Sequence, residues 1–330
     1  MSQYEIVPAK LDALFGNIVP PIDIDVHVYP QSFEAARWVP KVNATYTFRK
    51  EVLRSVLNFM LDARNGTVTD ALHLIGPTGS GKSSVVTQVA ARLGMPVVQV
   101  TGHGRLEIPQ LLYGKSAVNG TLFTTDGPLT LAMRNGWLFM LDEVDLIEPE
   151  TLTGLNDILE SGRVVIEDSG ELIEAAQGFG FVVTSNTAGG GDETAAYVGT
   201  KMQNIAFRDR FIKVEVGYPE REAEVTLLQQ ATGLSAEQAE PYVDVANMVR
   251  TAFADVATGL TATLSVRGLI RWVTLSQKYA ALAQQGLHPL YYALDLTILN
   301  GLTTPEKKAI EEMVAQVFGA TRTLVQQAAA

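Results

Sequence analysis

The chain contains no cysteine, which excludes disulfides and thiolate metal sites. Histidine is almost as scarce. His27, His73, His103 and His288 are the full set, and their spacing fits no metal-ligand pattern. They read as structural or surface groups. No apolar run is long enough to span a bilayer. The opening MSQYEIVPAK lacks the basic segment and apolar core of a secretory signal. A soluble, cytoplasmic chain is the expectation. Long runs of positive charge are missing too. The longest are the pairs Arg49-Lys50 and Lys307-Lys308, against a net charge of −11. Nucleic-acid motors commonly carry a basic stripe, so this balance counts against that class without removing it. The acidity suits a soluble assembly. What the chain does have is size: 330 residues, 47% of them hydrophobic, enough for two or three domains with sizeable cores.

Residues 1–45 carry Pro20-Pro21, Pro30 and Pro40 and predict an irregular N-terminal arm. A helix is expected from about Thr47 to Arg64, with Val52, Val56 and Phe59 on one face and Asn65-Gly66 as its stop. Strand and helix then alternate. Ala71–Ile75, Val97–Val100, Trp137–Leu141, Phe181–Thr184 and Phe211–Val216 read as strands. The run Trp137–Leu141 is apolar throughout, as suits a strand buried on both faces of a parallel sheet. Between the first two strands Val85, Val86, Val89, Ala90 and Leu93 recur at helical spacing, closed by Gly94. This is a doubly wound α/β layout. Two stretches interrupt it. Residues 102–136 predict a short helix, a hairpin around Asn119-Gly120 and a second helix. Residues 162–178 predict a hairpin turning at Asp168-Ser169-Gly170. Both are expected to face a pore or a partner. After Pro219 the pattern is helical, with Ser265 capping a helix that runs to Gly286, and the terminal QQAAA is expected to fray.

The chemistry starts at residues 76–84, GPTGSGKSS. Gly76, Pro77, Thr78, Gly79, Ser80, Gly81, Lys82, Ser83 and Ser84 contain the full P-loop pattern, Gly-x4-Gly-Lys-Ser. Its glycines let backbone N–H groups face phosphates, and the following helix turns its positive end to them. Lys82 would reach the β- and γ-phosphates of ATP, and Ser83 would bind Mg²⁺. The second site is Trp137-Leu-Phe-Met-Leu-Asp142-Glu143, a buried strand that ends in two carboxylates. Asp142 would hold Mg²⁺, and Glu143 would orient and deprotonate an attacking water. A base for water argues for hydrolysis, since a small-molecule kinase needs none. Asn186 ends the next strand, where it is placed to touch the γ-phosphate or the water. Taken alone it also reads as an ordinary turn residue. Arg208 and Arg210 precede the last strand and are candidates to neutralise transition-state charge, or else to pair with Asp209. Arg267 opens a helix of the C-terminal part; alone it reads as a solvated first-turn arginine.

Together these residues resemble the AAA+ ATPases, in the MoxR-like branch with an insert in the second helix and a hairpin before sensor 1. Within that branch the chain is similar to the CobS-like ATPase subunits of aerobic cobaltochelatase. The stretches that carry the likeness are Leu14-Phe15-Gly16, GPTGSGKSS, LDEVD, TSNTAGGGDETAAYVGT (184–200), FRDRF and LSVRGLIRW (264–272), from about residue 10 to 275. The resemblance implies a five-stranded parallel sheet of order 5-1-4-3-2 with a C-terminal helical lid. It divides the chain into an arm (1–45), an ATPase domain (46–218) and a lid domain (219–330). Lys82 and Ser83 match Walker A, Asp142 and Glu143 Walker B, Asn186 sensor 1 and Arg267 sensor 2. Arg210 is the first choice for an arginine finger supplied in trans, with Arg208 as its rival. It further implies a homo-oligomeric ring, usually a hexamer, working on a partner with a von Willebrand factor A (VWA) domain. In a chelatase that partner would be CobT-like, acting with a CobN-like subunit that inserts cobalt into a corrin. A different client, as in MoxR-type or phage and plasmid relatives, and a nucleic-acid motor remain the alternatives.

Overall fold

The computed structural model describes residues 4–30, 32–66, 70–118, 121–190 and 199–322. The chain divides into two compact units. Among the described residues, the first runs to Val216 apart from 78–80, which cluster with the second, and the second continues from Gly217.

The first unit opens on β1 (Glu5–Lys10) and β2 (Asp23–Val28), an antiparallel ribbon with Val7 opposite Val26. This corrects the expected irregular arm. Its prolines drew attention to turns, but Asp23–Val28 sets Ile24, Val26 and Val28 at every second position, the period of a strand. The ribbon is fixed at Gly94, where a Cβ would stand 1.7 Å from the His27 carbonyl oxygen. With φ at +67° as well, that position admits only glycine. Further along the arm, Gln88 accepts from the Asn43 N–H at 2.8 Å and donates to the Lys41 carbonyl at 3.0 Å. The helix Lys50–Asn65 buries Val52, Val56, Phe59 and Met60 and ends at Gly66 in the left-handed region. It starts three residues after Thr47 because Phe48 is held edge-on to Phe15 and Tyr46, which keeps the lead-in extended.

The remaining strands are β3 (Ala71–Ile75), β4 (Val97–Thr101), β5 (Tyr113–Val118), β6 (Thr121–Asp126), β7 (Leu138–Asp142), β8 (Arg163–Ile166), β9 (Glu171–Glu174), β10 (Gly180–Ser185) and β11 (Phe211–Glu215). Five of them make a parallel sheet of order β11-β3-β10-β7-β4. Numbered among themselves, that is the expected 5-1-4-3-2. Period-two alternation sends Leu138 and Met140 into one core with Leu72, Leu74 and Val182, and Phe139 and Leu141 into the other with Phe181 and Val183. Both faces are thus buried, which is why this strand reads as a continuous apolar run.

Both interruptions form as antiparallel hairpins, β5–β6 and β8–β9. Lys115 of the first pairs with Asp168 of the second at 2.9 Å. The Asn119-Gly120 turn, residues 191–198 of the GGGDETAAYVGT stretch and the terminal QQAAA lie outside the described residues.

The second unit is helical, as expected after Pro219. Helices Arg221–Thr232, Ala236–Ala254, Val266–Lys278, Pro289–Thr297 and Thr304–Phe318 enclose Val243, Leu269, Trp272 and Tyr291. Ser265 caps its helix, its Oγ accepting from the Gly268 N–H at 3.2 Å. That helix stops at Lys278 rather than Gly286. The following Ala280–Gln285 is a 3-10 stretch with no buried residue, so no apolar face extends the α-helix. Glu224, fully buried, receives both terminal nitrogens of Arg250 at 2.6 and 2.7 Å. Arg250 Nε donates to the Leu264 carbonyl at 2.8 Å, just before the cap of the helix that carries Arg267. A buried, bidentate, fully hydrogen-bonded pair fixes geometry more than it adds stability. Here it fixes the start of that helix. Among the described residues no helix is long and apolar enough to cross a membrane.

Candidate nucleotide site at the carboxyl ends of the sheet

β3, β7 and β10 run parallel, so the segments that follow them leave from one edge of the sheet. Ser185 is level with Ile75, and Val183 with Leu141. This register brings together the P-loop after β3, Asp142-Glu143 at the end of β7 and Asn186 after β10. The carboxyl edge of a doubly wound sheet is where ligands bind.

Pro77, Thr78, Gly79 and Ser80 make the arch of the loop between Gly76 and Gly81. Gly81, with φ at +97°, turns the chain into the helix Lys82–Leu93, whose first turn holds Ser83 and Ser84. Lys82 is buried. Its Nζ donates to the Gly76 carbonyl at 2.6 Å, the Pro77 carbonyl at 3.1 Å and Asn186 Oδ1 at 3.0 Å. Burial pulls its ammonium down to about 8, against the opposing charges of Asp145, Asp142 and Glu143. An anion in the loop would counter that shift.

Asp142 is held by three donors. Its Oδ1 accepts from Ser83 Oγ at 2.7 Å and from Thr184 Oγ1 at 2.8 Å, and its Oδ2 from Gln99 Nε2. Glu143, exposed, is the one non-glycine residue with positive φ among those described, at +57°. Such a conformation costs about 1–3 kcal/mol and persists only where the surroundings enforce it. Here the Glu143 N–H donates to Thr184 Oγ1 at 3.2 Å. Beneath Asn186, Ser185 Oγ donates to the Thr187 carbonyl at 2.5 Å and lies 2.6 Å from His73 Nε2. The hydroxyl proton is thereby used, so His73 carries its proton on Nε2 and donates it. Burial, with the positive charges of Lys213 and Arg208, pulls His73 down to about 4 and keeps it neutral.

Ser83 Oγ and Asp142 are adjacent hard oxygens, the donor type that Mg²⁺ takes. No group of three or more His, Cys, Asp or Glu among the described residues would hold a metal alone. The pair suits an ion that keeps phosphate oxygens and waters as its other ligands.

The arginines are not part of this cluster. The Ala71 N–H donates to the Arg210 carbonyl at 3.2 Å, which puts Arg210 at the amino end of β3. Its Nη2 pairs with Glu160 Oε2 at 2.8 Å, not with Asp209, and its Nη1 donates to the Ala206 carbonyl. Arg208 lies against the segment after Asn186: a Cβ on Gly189 would stand 3.0 Å from Arg208 Cδ. Arg267 belongs to the second unit, in the first turn of Val266–Lys278.

Gln99, Thr184, Asp145 and the His73–Ser185 pair were not expected at the site. Thr184 shows in the sequence only as the polar end of the run Phe181–Thr184, which does not mark it as a site residue. For His73, the signal was a histidine inside the strand Ala71–Ile75.

Comparison with known proteins agrees with this geometry. Residues 71–211 match the AAA domain of the dynein-related subfamily, and residues 224–321 the CbbQ/NirQ/NorQ C-terminal domain. The second match carries the likeness past residue 275, where the motifs alone had ended it. The chain is 29% identical to the aerobic cobaltochelatase subunit CobS of Sinorhizobium sp., over 90% of this chain and 88% of that one. It is 30% identical to the protein NorQ of Paracoccus denitrificans, over 74% of this chain and 86% of that one. A solved RuvB structure from Thermotoga maritima aligns at 15% identity over 86% of this chain and 81% of that chain, with a TM-score of 0.49. On its two domains and the CobS and NorQ matches, the chain belongs to the AAA+ P-loop ATPases of the CbbQ/NorQ/CobS type, in the MoxR-like branch.

Proposed function

We propose that the chain is a ring-forming motor that hydrolyses Mg·ATP at sites shared between protomers and uses the energy to remodel a partner protein. In this reading residues 46–218 are the ATPase domain, 219–330 the lid and 1–45 the arm. Lys82 and the loop amides hold the triphosphate. Ser83 and Asp142 hold Mg²⁺, which supplies charge neutralisation at the phosphates. Glu143 takes the proton of the attacking water, and Asn186, beside Lys82, orients that water against the γ-phosphate.

One observation supports the shared site above the others. The P-loop leaves the carboxyl end of β3, while Arg210 is bonded at its amino end. At about 3.3 Å per residue, five residues separate the two by roughly 15 Å, beyond the reach of an arginine side chain. Arg210 therefore has no role in its own protomer's site, and in this reading it serves a neighbour's. The test is dilution. Turnover per chain should fall steeply as the protein is diluted below the concentration at which ATP-bound oligomers persist, followed by light scattering. A monomer that hydrolyses ATP at full speed would remove the shared site.

The client is expected on the hairpins. Val165 and Leu172 form a cross-strand pair on β8–β9, and each is 54% exposed. An exposed apolar cross-strand pair is a surface a partner could cover. A VWA-domain protein of the CobT type is the first candidate, with a CobN-like subunit behind it if the task is cobalt insertion; another client is the alternative. Deleting Val165–Leu172 should leave ATP turnover within about threefold of wild type while ATP-dependent capture of the client is lost. Capture that survives the deletion would move the client elsewhere.

A further inference from the structure

Asp145 sits in the 3-10 turn Val144–Leu146, two residues past Glu143, and is fully buried. A buried carboxylate must be held by donors. Its Oδ2 accepts the N–H of Asn186 at 2.9 Å, the N–H of Thr187 at 3.1 Å and the Thr187 hydroxyl at 3.4 Å. Its Oδ1 is buried with no hydrogen-bond partner among the described residues. Its main-chain oxygen accepts from the Lys201 N–H at 2.7 Å. With the Asn186 main chain held in this way, its carboxamide Oδ1 accepts from Lys82 Nζ at 3.0 Å.

We propose that Asp145 is a positioning residue for hydrolysis: it fixes the backbone of Asn186 and Thr187 so that the Asn186 carboxamide stays beside Lys82. The proposal rests on the ATPase reading above. Three features favour it over a purely architectural role. The amides of two consecutive residues converge on one oxygen, which sets the direction of the Asn186 side chain rather than merely filling space. The same turn carries Glu143 in its strained conformation, so one short segment sets both the base and the residue across from it. Finally, the Asn186 carboxamide that follows this tethered backbone lies 3.0 Å from Lys82 Nζ, so the tether bears on the phosphate-binding side as well. Removing it should not weaken the hold on ATP, because Lys82 keeps its bonds to the Gly76 and Pro77 carbonyls when the tether is lost.

The test is a double-mutant cycle on the full chain. Asp145→Ala should lower kcat about 100-fold with KM for ATP no higher than wild type, since the lost interaction is one that matters in the transition state. Asp145→Asn keeps an acceptor oxygen and should lose less. Asn186→Ala should lose about as much as Asp145→Ala, and the double variant no more than about threefold beyond the worse single, because one residue acts through the other. Losses that multiply, or a raised KM with kcat kept, would overturn the proposal. Hydrogen exchange supplies a readout independent of turnover. The Asn186 and Thr187 amides should exchange at least about tenfold faster in Asp145→Ala, having lost their buried acceptor. Unchanged protection there would overturn the proposal as well. A wild-type chain that binds but never hydrolyses ATP would instead strike the ATPase reading, and the exchange result would still decide Asp145.

Discussion

Glu143→Gln should bind ATP as tightly as wild type and hydrolyse it roughly 100- to 10,000-fold more slowly, the range expected when a general base is removed. Glutamine is isosteric and keeps the chain length. The backbone feature that aims the residue, the Glu143 N–H on Thr184 Oγ1, does not depend on the side chain. The groups that hold the nucleotide, Lys82 and the Ser83–Asp142 pair, are untouched. The variant should therefore accumulate in the ATP-bound, assembled form. Bound-nucleotide measurements after gel filtration, set beside phosphate release, check both halves. Turnover near the wild-type rate would dismiss Glu143 as the base. The neighbouring carboxylate predicts a different phenotype. Asp142 accepts from Ser83, Thr184 and Gln99, so an asparagine there would turn an NH2 group towards donors and leave at least one of them unsatisfied. Asp142→Asn should disturb the site itself. Two adjacent acids in one motif thus separate by experiment because their surroundings differ: one is buried among donors, the other exposed on a strained backbone.

That contrast marks what the sequence made readable. The P-loop and the Asp142-Glu143 pair are local patterns, with spacings fixed by one turn or one strand end, and they were legible. So was the sheet, because Leu138–Leu141 and Phe181–Val183 are apolar on both faces and the loops between strands carry turn residues. Gln99 and Thr184 were not legible as site residues. Each is a single polar side chain on a strand, and it meets Asp142 only because register sets Thr101 against Asp142 and Val183 against Leu141. No spacing within the chain encodes that meeting. Asp145 was hidden in another way. It lies within the LDEVD stretch, where its two neighbours suffice to explain an acidic cluster, and only its complete burial shows that it serves a separate purpose. The arm failed for a physical reason too. Prolines report where a chain turns, but Pro8 stands within β1 opposite Asp25, in a two-stranded ribbon where a missing N–H need cost no ladder bond.

Arg210→Ala should cut turnover by about a thousandfold or more, as the loss of an arginine finger does, while leaving ATP binding in place. The decisive experiment is to mix it with Lys82→Ala, which is inactive for the opposite reason. In a head-to-tail ring each site takes its loop from one protomer and its arginine from the next. An Arg210→Ala chain still has Lys82 with Asn186 beside it; a Lys82→Ala chain still presents Arg210. At equal amounts and random assembly about a quarter of the interfaces would join an intact loop to an intact arginine, so activity should return to a measurable fraction of wild type. Two chains that complete their own sites could not rescue each other at any ratio. Arg208→Ala belongs beside them. Arg208 runs against Gly189, three residues past Asn186 in its own protomer, whereas Arg210 lies at the far end of β3 with its Nη2 on the exposed Glu160. Two arginines one residue apart thus face different tasks. Rescue of Arg210→Ala by Lys82→Ala, together with no rescue of Arg208→Ala, would assign the trans role to Arg210 and leave Arg208 to support the segment behind Asn186. The reverse pattern would exchange them, and no rescue of either would return hydrolysis to a single protomer.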